Sequence, residues 1–136
     1  MDRLLSKYPE TIVGLSGWNS HAYPNPGFAG NPIDSHKMSV RSYQFELDEI
    51  KKRTGKNLPV FITETGWDQN KVKMKLIPQY FQFAYQKIWQ PDGRVISVTP
   101  FLFNAQTMPF SAFSLFDTNE NPTQLYEMIK RLAKDL

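Results

Sequence analysis

The sequence contains no cysteine among its 136 residues. The chain therefore forms no disulfide and offers no thiolate to a metal, although this absence leaves its compartment undecided. It has only two histidines, His21 and His36, and neither belongs to a spaced group of metal ligands. We therefore expect no metal site.

Long apolar runs, dense basic stripes and phosphate-binding glycine loops are also missing. No run approaches the ~20 residues of a membrane span, and the first residues do not predict a signal peptide. The net charge is only +3, and the lysines gather near predicted helix ends without the basic stripe typical of nucleic-acid binding. Gly14 and Gly17 lack the tail of a phosphate loop. The sequence therefore predicts no membrane, no nucleic-acid partner and no cofactor.

Strand-like and helix-like segments alternate along the rest of the chain. Apolar runs rich in β-branched residues predict strands over 12–23, 58–63 and 95–103. Apolar residues at three- and four-residue steps predict a helix end over 2–9 and helices over 38–54, 74–89 and beyond Asn121. Asn121 is a suitable N-cap for the last helix, with Pro122 at its first position. Such alternation is typical of a parallel sheet with right-handed crossovers.

Two α/β architectures fit three consecutive β/α units. A doubly wound sandwich of this length usually has about five strands. The hypothesis that such a fold binds a phosphate or a nucleotide is weakened here, because the sequence has no phosphate loop. A (β/α)₈ TIM barrel needs about 250 residues. We prefer a partial barrel, in which residues 1–136 form a single domain piece that contains strands six to eight. Its two edge strands would be unpaired.

Each predicted strand ends in side chains typical of a functional site. In chain order these residues are His21 and Tyr23, Glu64 and Trp67, and Phe103 and Asn104. The carboxyl ends of barrel strands meet at one face, which carries the active site in TIM-barrel enzymes. The sequence therefore predicts that these side chains form one site around Glu64.

Each of these residues also has a structural interpretation. Glu64 could be a solvated strand-end carboxylate or a cap for the following helix. His21 could be a hydrogen-bonded residue of the barrel rim, Tyr23 could close the top of the barrel, and Trp67 could lie in the core. The residue types alone leave both interpretations open.

Three segments of the chain resemble clan A glycoside hydrolases. The segment His21-Ala22-Tyr23-Pro24 resembles the His-x-Tyr motif that ends the sixth strand, and Ile62-Thr63-Glu64-Thr65-Gly66-Trp67 resembles the seventh-strand motif. The tail that runs from Phe113-Ser114-Leu115-Phe116-Asp117 to Pro122 and Tyr126 is similar to the closing segment. The cellulase-like family five and the xylosidase-like groups are the most similar members.

This resemblance implies a retaining glycoside hydrolase that acts on a β-linked oligo- or polysaccharide. Glu64 matches the nucleophile, and His21 and Tyr23 match residues that hydrogen-bond around it and the adjacent sugar. Trp67 and the loop aromatics, together with Phe103 and Asn104, would contact the carbohydrate substrate. The loop aromatics are Phe28, Phe110 and Phe113.

The sequence departs from the family pattern at two points. The family's acid/base is a glutamate that follows an asparagine at the end of the fourth strand, whereas Asn119-Glu120 precedes the last helix. We therefore expect the acid/base to lie upstream of Met1, in a missing N-terminal barrel half, and this chain alone to be inactive. Phe101 and Phe103 stand where many members have a tryptophan. The alternative is a non-catalytic carbohydrate-binding or assembly fragment of a divergent barrel.

Overall fold

The computed structural model describes residues 6–8 and 10–133. We number its main elements in chain order: α1 (Glu10–Val13), β1 (Trp18–His21), α2 (Ser42–Thr54), β2 (Val60–Thr65), α3 (Ile77–Ala84), β3 (Val95–Pro100) and α4 (Gln124–Leu132). A 3₁₀ turn, Met74–Leu76, precedes α3, and a π-helical turn, Tyr85–Trp89, extends it. A second 3₁₀ turn, Phe110–Phe113, lies in the loop after β3.

The three strands form one parallel sheet with β2 in the centre. Ser20 pairs with Ile62 on one side of β2, and Val98 pairs with Ile62 on the other. Helices lie between consecutive strands in the chain, as parallel connections require. The predicted mixed α/β fold with three β/α units is therefore confirmed, and within the described residues β1 and β3 each keep one unpaired edge.

The side chains of β2 show that one face of the sheet carries the helices. Val60 and Ile62 are fully buried in the apolar core, whereas Phe61 between them is 39% exposed. Neighbouring residues of a strand point to opposite faces, so the exposed face is the side away from the helices. The buried helical residues are Tyr43, Leu47 and Ile50 from α2, Ile77, Phe81 and Ala84 from α3, and Leu125, Met128 and Leu132 from α4.

A polar network borders this core at the turn before β3. The hydroxyl of Tyr43 donates to Asp92 Oδ2 over 3.1 Å, and Arg94 donates to both carboxylate oxygens of Asp92 at 2.8–2.9 Å. The hydrogen bonds from Arg94 lower the pKa of Asp92 to about 2. Burial, followed by the charge of Asp92, raises the pKa of Tyr43 well above its ordinary value. The network fixes the turn that leads into β3.

Several predicted boundaries are wrong. The segment predicted as a strand over 12–23 begins with α1, which buries Ile12 and packs on α2, so the strand is limited to Trp18–His21. The second helix begins at Ser42, because Ser39 forms turn hydrogen bonds to His36 before it. The third strand ends at Pro100, after which the chain leaves the sheet. The helix predicted over 2–9 falls largely outside the described residues.

The N-cap of α4 is also corrected. Thr123, not Asn121, precedes the first helical residue, and its Oγ1 accepts a hydrogen bond from the N–H of Tyr126. Asn121 instead donates its N–H to Asp117 Oδ1, and Pro122 forms a bridge to Phe116. The chain is therefore still in the loop at these two residues.

Candidate active site

Glu64 is the second-to-last residue of β2, at the carboxyl end of the central strand. Its partner across the sheet is His21, the last residue of β1. The ladder between β1 and β2 shifts register between Ser20 and His21, and such an irregularity re-aims the side chains that follow it. The side chain of Glu64 is about one-third exposed. The sheet therefore presents this carboxylate at its rim.

Two side chains from the end of β1 contact the same oxygen of Glu64. The hydroxyl of Tyr23 donates to Oε2 over 3.0 Å, and Nδ1 of His21 lies 3.3 Å from it. Among the described residues, no donor reaches the other oxygen, Oε1. The carboxylate is therefore held through one oxygen while the other is left available.

The protonation of Tyr23 suits its role as a donor. Burial of the phenol and then its hydrogen bond to Glu64 raise the pKa of Tyr23 well above its ordinary value of 10.0. The hydroxyl therefore keeps its proton throughout the neutral range and continues to donate to the carboxylate.

A cavity of about 400 Å³ adjoins Glu64. Its apolar lining consists of Phe28, Phe101, Met108, Pro109, Phe110 and Phe113. Its polar lining consists of Tyr23, Glu64, Asp68, Asn70 and Lys71. Concave, mostly apolar sites of this size with a few polar groups are typical of small-ligand binding. A small molecule that contacts Glu64 would therefore lie in this cavity.

Hydrogen bonds between two loops shape this cavity. The N–H of Asp68 donates to Phe28 O over 3.0 Å, and Lys71 Nζ donates to Gly27 O over 3.1 Å. Lys71 also lies 3.3 Å from Asp68 Oδ2. These contacts connect the loop after β2 to the loop after β1, so Phe28 is held over the end of the sheet.

The aromatic lining packs edge to face. Phe28 lies 4.9 Å from Tyr23 and 5.4 Å from Phe113, centroid to centroid, and Phe101 lies 5.7 Å from Phe113. Gly66 makes this packing possible, because a Cβ there would be 3.1 Å from Phe101 O and 3.3 Å from the ring of Phe113. Gly66 therefore lets the loop after β3 approach β2 closely.

The structure brings Glu64, His21 and Tyr23 together, and the predicted loop aromatics Phe28, Phe110 and Phe113 line the cavity beside Glu64. The remaining predicted residues lie elsewhere. Trp67 is only 2% exposed, donates its indole N–H to Gly30 O over 2.8 Å and packs against Phe81. The fold therefore supports a core position for Trp67, because a buried indole offers no face to a sugar.

Phe103 and Asn104 lie outside the lining of the cavity. Phe103 is 66% exposed and packs on Phe116 and Tyr126, and Asn104 accepts a hydrogen bond from the side chain of Gln106. Phe101, two residues earlier, lines the cavity in their place. The sequence analysis considered both Phe101 and Phe103, but it extended the third strand to residue 103, whereas β3 ends at Pro100.

Asp68, Asn70 and Lys71 are cavity residues that the sequence prediction did not single out. Their position in the loop directly after Glu64 and Trp67 was the available signal. Within the described ranges, no cluster of three or more acidic or histidine side chains could hold a metal ion. In the same part of the chain, no helix has both the length and the apolar character to cross a membrane.

Comparison with known proteins shows a similarity of fold. No family model matches the sequence, and no curated protein does. The fold is similar to that of a family 39 glycoside hydrolase from the gut symbiont Bacteroides cellulosilyticus WH2, with a TM-score of 0.61 and 16% sequence identity. The similarity covers 93% of this chain and 28% of that protein. The chain therefore shares the fold of a part, a little over a quarter, of a glycoside hydrolase.

Proposed function

We propose that this chain is the last part, strands six to eight, of a (β/α)₈ retaining glycoside hydrolase in which Glu64 is the nucleophile. One observation carries the proposal. Tyr23 and His21 hold Glu64 Oε2 at a sheet end while Oε1 faces no donor among the described residues. The structural similarity to a glycoside hydrolase supports the barrel and the reaction class.

The first chemical step uses the free oxygen of Glu64. Oε1 attacks the anomeric carbon, the bond from that carbon to the leaving oxygen breaks, and a general acid protonates the leaving group. The hydrogen bond from Tyr23 stabilises the ionised carboxylate and fixes its direction. The residue that acted as the general acid then acts as a base and activates water. Water attacks the anomeric carbon of the glycosyl ester, which releases the sugar and returns Glu64 to its carboxylate form.

The general acid/base is proposed to lie outside this sequence. Asp68 is the other carboxylate of the cavity lining, and both of its oxygens are engaged: Oδ1 accepts from Asn70 N–H, and Oδ2 contacts Lys71. Asp68 therefore holds the loop. Retention requires a second carboxyl group about 5–5.5 Å from Glu64, which another strand end of the barrel would supply.

The open edges of the sheet fit the same proposal. The outer edges of β1 and β3 have no neighbouring strand among the described residues, and Ile96 of β3 is 57% exposed. Unpaired strand edges are usually covered in folded proteins. We propose that the remaining barrel strands pair with both edges and complete the active-site face.

Azide rescue tests the role of Glu64 in the full-length protein that carries this chain. The variant Glu64→Gly is supplied with an aryl β-glycoside, with and without sodium azide. Azide enters the space left by the carboxylate and attacks the anomeric carbon, so a C–N bond forms as the C–O bond breaks. We expect azide to restore turnover and to yield the α-glycosyl azide, because attack comes from the nucleophile's face.

The configuration of the product separates the possible roles. A β-glycosyl azide would identify Glu64 as the acid/base. Sugar binding with no turnover in the unmodified full-length protein would favour the non-catalytic alternative. Glu120→Gly, which removes an exposed loop carboxylate, is the matched control and should keep full activity without azide.

A further inference from the structure

Lys71 joins two of the loops that border the cavity beside Glu64. Its ammonium donates a hydrogen bond to Gly27 O over 3.1 Å, in the loop after β1. It also forms an ion pair with Asp68 Oδ2 at 3.3 Å, in the loop after β2. Because the side chain of Lys71 is about half exposed, the ion pair alone would stabilise the protein little. The importance of Lys71 therefore depends on the backbone to which it donates.

The backbone that Lys71 contacts has an uncommon conformation. Gly27 and Phe28 both lie in the left-handed region, with φ of +65° and +61°. Glycine adopts this region freely, but a bulky residue such as phenylalanine is strained there. Such a conformation persists only where surrounding contacts impose it. Here they include the hydrogen bond from Asp68 N–H to Phe28 O and the ammonium of Lys71, which lies 5.9 Å from the centroid of the Phe28 ring.

The ring of Phe28 packs against the phenol that contacts Glu64. The centroids of Phe28 and Tyr23 are 4.9 Å apart, whereas two phenylalanine rings from the loop after β3 lie 6.2 and 6.3 Å from Tyr23. The hydroxyl of Tyr23 in turn donates to Glu64 Oε2 over 3.0 Å. A displaced Phe28 ring would therefore change the direction of this hydrogen bond. A short chain of contacts leads from the ammonium of Lys71 to the carboxylate.

We propose that Lys71 is a positioning residue for the nucleophile. Its ammonium keeps the turn at Gly27 and Phe28 in place, and the ring of Phe28 then holds the Tyr23 hydroxyl against Glu64. The inference rests on the proposed function of Glu64. In this role Lys71 changes the rate of the chemical step and leaves substrate affinity unaltered, because it acts through Tyr23 and not through the substrate.

Lys71→Met tests this role in the full-length protein, because methionine keeps the apolar stem and removes the ammonium. A small displacement of a catalytic group costs up to about 100-fold in rate, and since two further rings support Tyr23 we expect kcat on an aryl β-glycoside to fall about five- to tenfold, with KM within about twofold. Lys71→Arg can still donate to Gly27 O and pair with Asp68, so it should restore most of the activity. Lys73→Met, at an exposed lysine outside the cavity lining, is the matched control and should keep kcat.

A double-mutant cycle separates positioning from direct contact with the substrate. If Lys71 acts through Tyr23, Lys71→Met should lower kcat of Tyr23→Phe by less than about twofold, because the hydrogen bond that Lys71 maintains is already lost. The full effect of Lys71→Met in the Tyr23→Phe background, or a raised KM with unchanged kcat, would overturn the positioning role. A lower thermal stability with unchanged kcat would overturn it as well, because Lys71 would then be only structural.

Failure of this inference is distinguishable from failure of the proposed function. The ring resonances of Tyr23, assigned with Tyr23→Phe in protein that carries isotope-labelled tyrosine, report its position without any turnover. They should shift in Lys71→Met but not in Lys73→Met. Azide rescue of Glu64→Gly together with unshifted Tyr23 resonances retains Glu64 as the nucleophile and rejects the role of Lys71. Shifted resonances without azide rescue reject Glu64 as the nucleophile and, with it, the role of Lys71 in that reaction.

Discussion

The hydroxyl of Tyr23 and the carboxylate of Glu64 lie 3.0 Å apart although they come from different strands of the sheet. Parallel pairing of β1 with β2 produces this contact, because it aligns the carboxyl ends of both strands. His21 reaches the same oxygen from the same strand end. The hydrogen bonding of the candidate nucleophile is therefore a direct product of strand register.

Removal of the Tyr23 hydroxyl should weaken catalysis more than folding. Tyr23→Phe keeps the ring contacts with Phe28 and Phe113 but leaves Glu64 without this donor. A hydrogen bond to a charged group is worth about 1.5–3 kcal/mol, so kcat/KM of the full-length protein should fall roughly 10- to 100-fold. Steady-state kinetics and thermal unfolding measure the two effects.

Tyr43→Phe is the matched control for that change. It removes a hydroxyl that donates to Asp92, away from the cavity. This hydrogen bond is also to a charged carboxylate, so its loss should lower stability by about 1.5–3 kcal/mol and leave kcat/KM within twofold. A Tyr23→Phe variant with unchanged kcat/KM would show that Glu64 does not need this hydrogen bond.

Acid should destabilise the protein through Asp92. Its pKa in the folded state is about 2, compared with an ordinary value of 3.8. The stabilising contribution is therefore complete above about pH 4 and is lost as the pH falls towards 2. We expect Asp92 to account for a loss of about 1–2 kcal/mol over that window.

Unfolding curves of Asp92→Asn between pH 5 and pH 2 check this prediction. The variant should be less stable than the parent at pH 5, and the difference should shrink as the pH falls. Glu127→Gln, an exposed change of the same charge on α4, controls for net charge. A constant difference between Asp92→Asn and the parent at every pH would contradict the prediction.

Gly66→Ala should disturb the cavity through close contacts. The added Cβ would lie 3.1 Å from Phe101 O and 3.3 Å from the Phe113 ring, and relief requires the loop after β3 to move. Overpacking of this kind costs about 1–3 kcal/mol. Gly93→Ala is the control, since a Cβ there meets no atom within 4 Å. Equal stability of the two variants would show that the approach of the loop is not close.

We expect the side chain of Thr123 to stabilise the first turn of α4. Thr123→Ala removes the side-chain acceptor for the N–H of Tyr126 and a donor to Leu115 O, and loss of such a cap costs about 1 kcal/mol. Thr123→Ser keeps both hydrogen bonds and should restore most of the stability. Denaturant unfolding measures the stability of these variants and of Asn121→Ala. A larger loss of stability in Asn121→Ala than in Thr123→Ala would instead identify Asn121 as the N-cap.

The order of elements and the position of Glu64 followed from the sequence, because apolar periodicity and a strand that ends in a carboxylate are local patterns. The boundaries were less predictable. Residues 12–13 have strand-like side chains, yet a short helix buries Ile12 against α2. Asn121 has the chemistry of an N-cap, but its side chain and its backbone N–H both hydrogen-bond to Asp117 within the loop. Such outcomes depend on tertiary contacts that no local pattern contains.

The candidate site was predictable in part for the same reason. His21 and Tyr23 belong to the same strand end, so their meeting with Glu64 needed only the parallel sheet. The loop aromatics Phe28, Phe110 and Phe113 were predicted and line the cavity, whereas the position of Phe101 depended on where β3 ends and on the close approach at Gly66. Trp67 could not be placed from its type, because an indole serves equally well in a core or on a surface.

Mass spectrometry of a trapped glycosyl-enzyme tests directly whether Glu64 is the nucleophile. A 2-deoxy-2-fluoro β-glycoside with a good leaving group, added to the full-length protein, should form the ester with the nucleophile faster than water removes it. We expect one fluoroglycosyl group per active site, located on Glu64 in the peptic peptide that contains it. A label on any other carboxylate, or turnover of the unfluorinated glycoside with no label on Glu64, would contradict it.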